Sequence, residues 1–100
     1  MRAVLSVDIE LAARALLCRA APERRKAMQA LCERAHIADL WRRRTGRAHS
    51  VWGDGTLAAA AMAHPLAPKR LRYDPVWTEV LGQALAGLDD WRQDPARRSD

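Results

Sequence analysis

Arg42, Arg43, Arg44 and Arg47 stand almost side by side in the chain. A guanidinium is a planar fork of N–H donors that matches a phosphate or a carboxylate. Four of them together make a cationic edge, and the partner that edge suggests is a polyanion, foremost the backbone of double-stranded DNA. Neutralising phosphates releases condensed counterions, so such binding weakens steeply with salt and ignores base sequence. The plain alternative is a solvated helix end whose cations offset the helix dipole. A loop follows, RAHSVWGDG, holding His49, Trp52 and Asp54. Trp52 is either a plug closing the open end of a helical pair or an aromatic anchor for a partner protein. His49 reads as a capping or surface residue, and Asp54 as a turn and cap residue rather than a carboxylate catalyst.

Little else in the chain has the makings of chemistry. Cys32 and His36, four apart on a helix, could form half of a metal site, but no second pair at suitable spacing appears. Asp89 and Asp90 lack partners for metal work. No convergent set of polar side chains suggests catalysis, so the expectation is a non-enzymatic protein without metal or cofactor. Cys18 and Cys32 are too few for a disulfide scaffold, and in helical segments free cysteine behaves as a small buried apolar residue. A reducing cytoplasm is the expected home. Asp8, Glu10 and Arg14 break any signal-peptide run, and Gly55–Pro68 is too short and too broken by proline to span a membrane.

The charge is concentrated. Pro22 to Arg47 holds eight basic residues against Glu23, Glu33 and Asp39, which accounts for the whole formal net charge of +5. The remainder is balanced, with nine basic and nine acidic residues. The rest of the chain must therefore position one basic helix. With 100 residues, 49% of them hydrophobic but many alanine and none phenylalanine, the core is modest. Tryptophan and leucine must supply much of the burial, and a domain so thinly cored often gains stability by oligomerising.

Residues 6–20 read as a first helix, capped by Ser6, with Ile9, Ala12, Ala13, Leu16, Leu17 and Ala20 as its apolar stripe. Pro22 opens a second, long helix running to about Arg44, with Gly46 as C-cap. Met28, Leu31, Ala35, Ala38 and Trp41 form its seam, at alternating steps of three and four. Asp54 or Thr56 caps a short third helix, Leu57–Ala63. Its alanine side chains could not read base edges. Pro65 to Tyr73 reads as an extended connection with the basic run Lys69–Arg72. The last helix has Asp74 as cap and Pro75 in the first position, and repeats Trp77, Leu81, Ala84, Leu88 and Trp91, weakened locally by Gly82 and Gly87. The expected fold is all-α: a hairpin of the first two helices as framework, a short third helix and a packed C-terminal helix. A single domain covers 1–93, and 94–100 reads as a disordered polar tail.

The stretch TGRAHSVWGDGTLAAAAMAHP, after an ALL-containing first helix and an arginine-rich second one, resembles a small family of alphaproteobacterial proteins linked to phage-derived gene transfer agent clusters. The similarity covers Val4 to Leu88, and TGRAH and WGDG are its most specific pieces. The resemblance implies a small terminase subunit, which assembles into rings through helical hairpins, engages DNA and loads it onto a large ATPase-nuclease motor. Such subunits usually carry an N-terminal helix-turn-helix domain. This chain departs from that pattern, so it is not expected to recognise a specific DNA site. The expected partners are double-stranded DNA, further copies of itself and a large terminase or other packaging protein. The alternative is a protein–protein adaptor of a phage-like particle whose basic edge, with Trp52, meets an acidic partner.

Overall fold

The first helix is begun by an acid. In the computed structural model, which describes residues 1–70 and 74–98, α1 spans Ser6–Leu16. Leu5, not Ser6, holds the cap position, and the Asp8 carboxylate accepts from the Leu5 backbone N–H at 2.7 Å. The other Asp8 oxygen accepts from the Ala58 N–H at 2.9 Å, in the first turn of α3 (Leu57–Met62). One buried carboxylate thus satisfies orphan amides at two helix N-termini and sits at the positive end of both dipoles. Thr56 completes the α3 start, accepting from the Ala59 N–H, and is itself held by Asp54.

α1 buries Ala12, Ala13 and Leu16 as its spacing predicts. It stops at Leu16, short of the expected end at Ala20. Cys18 and Arg19 bond three residues back, to Ala15 and Leu16, which tightens and closes the helix. Arg24 Nε then takes the carbonyls of Leu16 and Arg19, at 3.1 and 3.2 Å. A 3₁₀ turn at Ala21–Glu23 leads into α2, Arg24–Thr45, which ends on the left-handed Gly46. At about 1.5 Å per residue its 22 residues make a rod of roughly 33 Å.

α4 spans Pro75–Gln93, with Asp74 accepting from the Val76 N–H at 2.9 Å as expected of its cap. Trp77, Val80, Ala84 and Leu88 are buried against Met28, Leu31 and Cys32 of α2 and against α1. The fold is all-α, with the short third helix and the packed C-terminal helix that the sequence predicts. Its most extensive contact, however, joins α2 to α4, while the consecutive pair α1 and α2 touch far less. Gly87 explains the difference. A Cβ there would fall 2.5 Å from Met28 Cβ and 2.7 Å from the Arg25 carbonyl oxygen. Gly87 does not weaken the seam, as its helix propensity suggests; it lets two backbones meet where larger side chains are scarce.

Polar ties fix that pairing at its rim. Arg25 forms a two-pronged pair with Asp90, Trp91 Nε1 donates to Glu33 at 2.9 Å, and Gln83 Nε2 donates to the Ala21 carbonyl at 3.1 Å. The basic residues at the start of α2 are therefore partly structural. The connection after α3 lies along α1, where Arg14 and Ala67 exchange two hydrogen bonds through the Arg14 carbonyl and Nε. Leu71, Arg72 and Tyr73, the end of that connection and of its basic run, lie outside the described residues.

In the segment 94–100, Pro95–Arg98 forms a one-turn α5. Asp94 starts it by accepting from the Ala96 N–H at 3.0 Å, and Ser99 and Asp100 lie outside the described residues. Among the described residues no helix is long and apolar enough to cross a membrane.

The two α4 glycines make opposite predictions. A methyl group added at Gly82 would meet nothing within 4 Å, so Gly82→Ala raises stability by about 0.5–1 kcal/mol through helix propensity. Gly87→Ala lowers it by about 1–3 kcal/mol, because α2 and α4 must part. Thermal melts of the two variants against the parent check the pair; a stabilised Gly87→Ala would refute the close approach.

Candidate nucleic-acid interface

The organising residue of the basic edge is an acid. Asp39 lies on the inner side of α2 and is 1% exposed. A carboxylate so placed must find cations, because an unpaired buried charge is heavily penalised. Arg42, one turn on, gives Nη2 to Oδ1 at 2.8 Å, and Arg43 brings Nη2 to 3.0 Å from Oδ2. The Met1 ammonium stands 3.5 Å from Oδ2 and donates to His36 Nδ1 at 2.9 Å. Burial pushes the Asp39 carboxyl up. The Arg42 hydrogen bond, the Met1 ammonium and the Arg43 charge outweigh it and hold the group below the ordinary carboxylate range.

The loop closes over this cluster. At Gly55, φ is +94° and a Cβ would fall 2.7 Å from Asp39 Cβ, so only glycine fits on both counts. The Gly55 carbonyl accepts from the Arg2 N–H at 2.9 Å, which holds the N-terminus over Asp39. Asp54, beside it, accepts from the Thr56 side chain and backbone and lies 3.6 Å from Arg2. The Thr56 hydroxyl is the main reason its pKa lies below normal. Asp54 thus holds Thr56, and Thr56 is the residue that caps α3.

Two aspects of the arginine group separate here. Arg42 is half-buried and turned inward, and Arg43 is 64% exposed but tethered to Asp39. Arg44 lies over the Trp41 ring, 5.4 Å from its centroid, and Arg47 is exposed in the loop. Neither Arg44 nor Arg47 has an ion-pair partner among the described residues. The outward cationic surface is thus Arg43, Arg44 and Arg47, with Arg42 behind it.

An aromatic stack stands beside the arginines. His49 and Gly53 exchange backbone hydrogen bonds of 2.7 and 3.1 Å, pinching the loop shut. His49 Nδ1 accepts from the N–H groups of Val51 and Trp52, both at 3.1 Å, which puts the ring proton on Nε2. The imidazole then stacks on Trp52 at 4.9 Å and 7°, and meets the Trp41 edge at 5.8 Å. Trp52 is therefore half-buried and already in contact on one face. Trp41, which its spacing assigns to the inner seam, is 40% exposed. The seam leaves the core here because α2 has two faces in its second half. Ala35, Ala38, Asp39 and Arg42 face in; Ile37, Leu40, Trp41 and Arg44, at helical spacing, face out.

Cys32 and His36 are both engaged inside the fold. Cys32 is fully buried, and burial pushes its thiol up to about 12, while His36 Nδ1 holds the Met1 ammonium. Among the described residues no group of three His, Cys, Asp or Glu could hold a metal ion. Asp90 of the Asp89-Asp90 pair is spoken for by Arg25.

Residues 2–88 match the family model described as a domain of unknown function, DUF7742. The chain belongs to that family. No curated protein and no solved structure matches it. The matched span of this DUF7742 member takes in the Asp39 cluster, the outward arginines, the aromatic stack and the Asp8 clamp. Sequence reasoning counted Asp39 only as one acid among arginines. The signal was there in the spacing, since an acid with arginines three and four residues on shares their helix face.

Asp39→Asn is expected to destabilise the protein by about 3 kcal/mol at neutral pH, the low end for a broken buried ion pair because Arg43 can turn to solvent. Because the folded pKa is depressed, the wild-type advantage is fully present above the unfolded carboxylate value of about 3.9 and is lost as pH falls through the lower folded value. Urea melts of both proteins from pH 7 to pH 2.5 check this; a gap that does not close in acid would refute it.

Proposed function

We propose that this protein is a non-enzymatic DNA-packaging component, a small-terminase-like oligomer that holds double-stranded DNA by its backbone without reading sequence and assists a large terminase motor. The class rests on the resemblance carried by TGRAH and WGDG. The DNA contact rests on the end of α2, where Arg43, Arg44 and Arg47 are exposed and the only carboxylate between Glu33 and Asp54 in the sequence is buried. Guanidinia without competing acids at a helix end suit phosphate oxygens. α3, the helix that follows, offers mainly alanine side chains, which cannot read base edges. Ile37, Leu40 and Trp41 give an apolar outward face, and the occupant proposed for it is a second copy of the chain.

One observation favours a second reading, an adaptor for an acidic protein partner. Trp41 flanked by Arg44 brings together two of the residue types most enriched at protein–protein hot spots. The two readings part on DNA.

Fluorescence anisotropy with unrelated duplexes, titrated across salt, tests the proposal. Comparable affinities for all sequences and a steep salt dependence are expected. Arg44→Ala/Arg47→Ala should weaken binding and reduce the log–log salt slope by about 2 per contacting protomer. Unchanged DNA affinity in that variant overturns the assignment. Light scattering on the same samples should give a closed multimer whose mass falls in Trp41→Ala. A protein that ignores DNA yet depends on Trp41 for complex formation belongs to the adaptor reading.

A further inference from the structure

Away from the basic edge, a second concentration of positive charge lines a cleft between the C-terminal end of α1, the middle of α2 and the chain just after α3. Its floor is apolar, from Leu16, Ala27, Ala30 and Leu31. Its rim carries Arg19, Arg34, His64 and the exposed thiol of Cys18, and no carboxylate among the described residues lines it. At about 190 Å³ the cleft has room for a small anion with several waters, each of which takes roughly 30 Å³ in the liquid.

The donor arrangement follows from one contact. Arg34 Nη1 lies 2.8 Å from His64 Nε2. A guanidinium only donates, so Nε2 accepts and the imidazole is neutral with its proton on Nδ1. Burial first, and then the Arg34 and Arg19 charges, lower the His64 pKa, in keeping with a positive field in the cleft. Half-buried Arg34 commits one N–H to His64, and neither it nor Arg19 pairs with an acid among the described residues. Half-buried Arg14 and Arg24 likewise lack an acid but donate to protein oxygens, whereas Arg34 meets the His64 nitrogen.

We infer that this cleft is a binding site for a small phosphoryl-bearing anion, held by the Arg19 and Arg34 guanidinia with His64 as a neutral N–H donor. A dianion is the match for two guanidinia; a carboxylate would leave one charge uncompensated. The apolar floor accommodates the carbon part of a phosphomonoester. This site is independent of the DNA-packaging reading, since it uses none of the arginines at the end of α2.

Cys18 is the reporter. Its sulfur lies at the cleft rim, 3.5 Å from the Pro65 carbonyl oxygen, while Cys32 is fully buried and serves as the unreactive control. The experiment follows iodoacetamide labelling of Cys18 by intact and peptide mass spectrometry as inorganic phosphate is titrated, with chloride and acetate at matched ionic strength in parallel. Phosphate is expected to slow labelling saturably, and acetate no more than chloride. Arg19→Gln and Arg34→Gln should each raise the half-protecting phosphate concentration at least about ten-fold, the usual cost of a lost charge-assisted hydrogen bond. Arg19 is exposed, so its variant tests the site even if Arg34→Gln disturbs packing. Protection no better than chloride, equal protection by acetate, or protection indifferent to Arg19→Gln would each overturn the assignment.

Discussion

A carboxylate without water around it dictates the design of this molecule. Asp39 sits inside α2 where charge is costly, and what surrounds it is the set of cations that make its burial tolerable: Arg42, Arg43 and the Met1 ammonium. That requirement draws the N-terminal stretch across the helix, brings Gly55 down onto the Asp39 backbone and fixes where the loop begins its return. It also sorts the arginines. Those three and four residues after Asp39 serve the fold, wholly or in part, and the ones beyond its reach face outward. The cationic edge is thus a by-product of a buried acid as much as a surface feature.

A core built mostly of alanine needs another route to cohesion, and α2 with α4 supplies one. Small residues let the backbones approach, and Gly87 allows the closest point of contact. Close approach raises packing density where large side chains are few. Polar ties through Arg24, Arg25, Glu33 and Gln83 then set the register at the rim. The large apolar residues are distributed unevenly. Trp77 and Leu88 go into the core, while Leu40, Trp41 and Leu85 remain outside.

Much of the architecture is legible in the sequence because it depends on local rules. Asp74-Pro75 marks a helix start, Gly46 a stop, and the three-and-four spacing of Met28, Leu31 and Ala35 a buried stripe. The reading fails where distant contacts decide. Ser6 is the better intrinsic cap, but Asp8 takes the role because it also serves a helix starting near residue 57. Gly87 is unfavourable in a helix taken alone and necessary in a helix pressed against another. Trp41 continues the seam by spacing, yet the seam needs a facing helix, and at Trp41 none is there. The outward arginines could be counted in advance but not sorted, since sorting them requires knowing that Asp39 is buried.

The Asp8 clamp carries an implication for how the molecule acquires and loses its shape. α3 has six residues, well under the roughly 12–15 that an isolated helix needs to persist in water. Its first turn is secured from 50 positions away in the chain, so it has no native start until α1 is in place. Closing so long a segment costs entropy that only later contacts offset. α3 is accordingly a late element in folding and an early one in unfolding, and the pinched loop that leads into it shares that fate. Amide exchange along the chain would then be graded, slowest where α2 meets α4 and fastest through the loop and α3. The aromatic and cationic surface at the end of the long helix therefore rests on the least persistent part of the structure, and whatever binds there also steadies it.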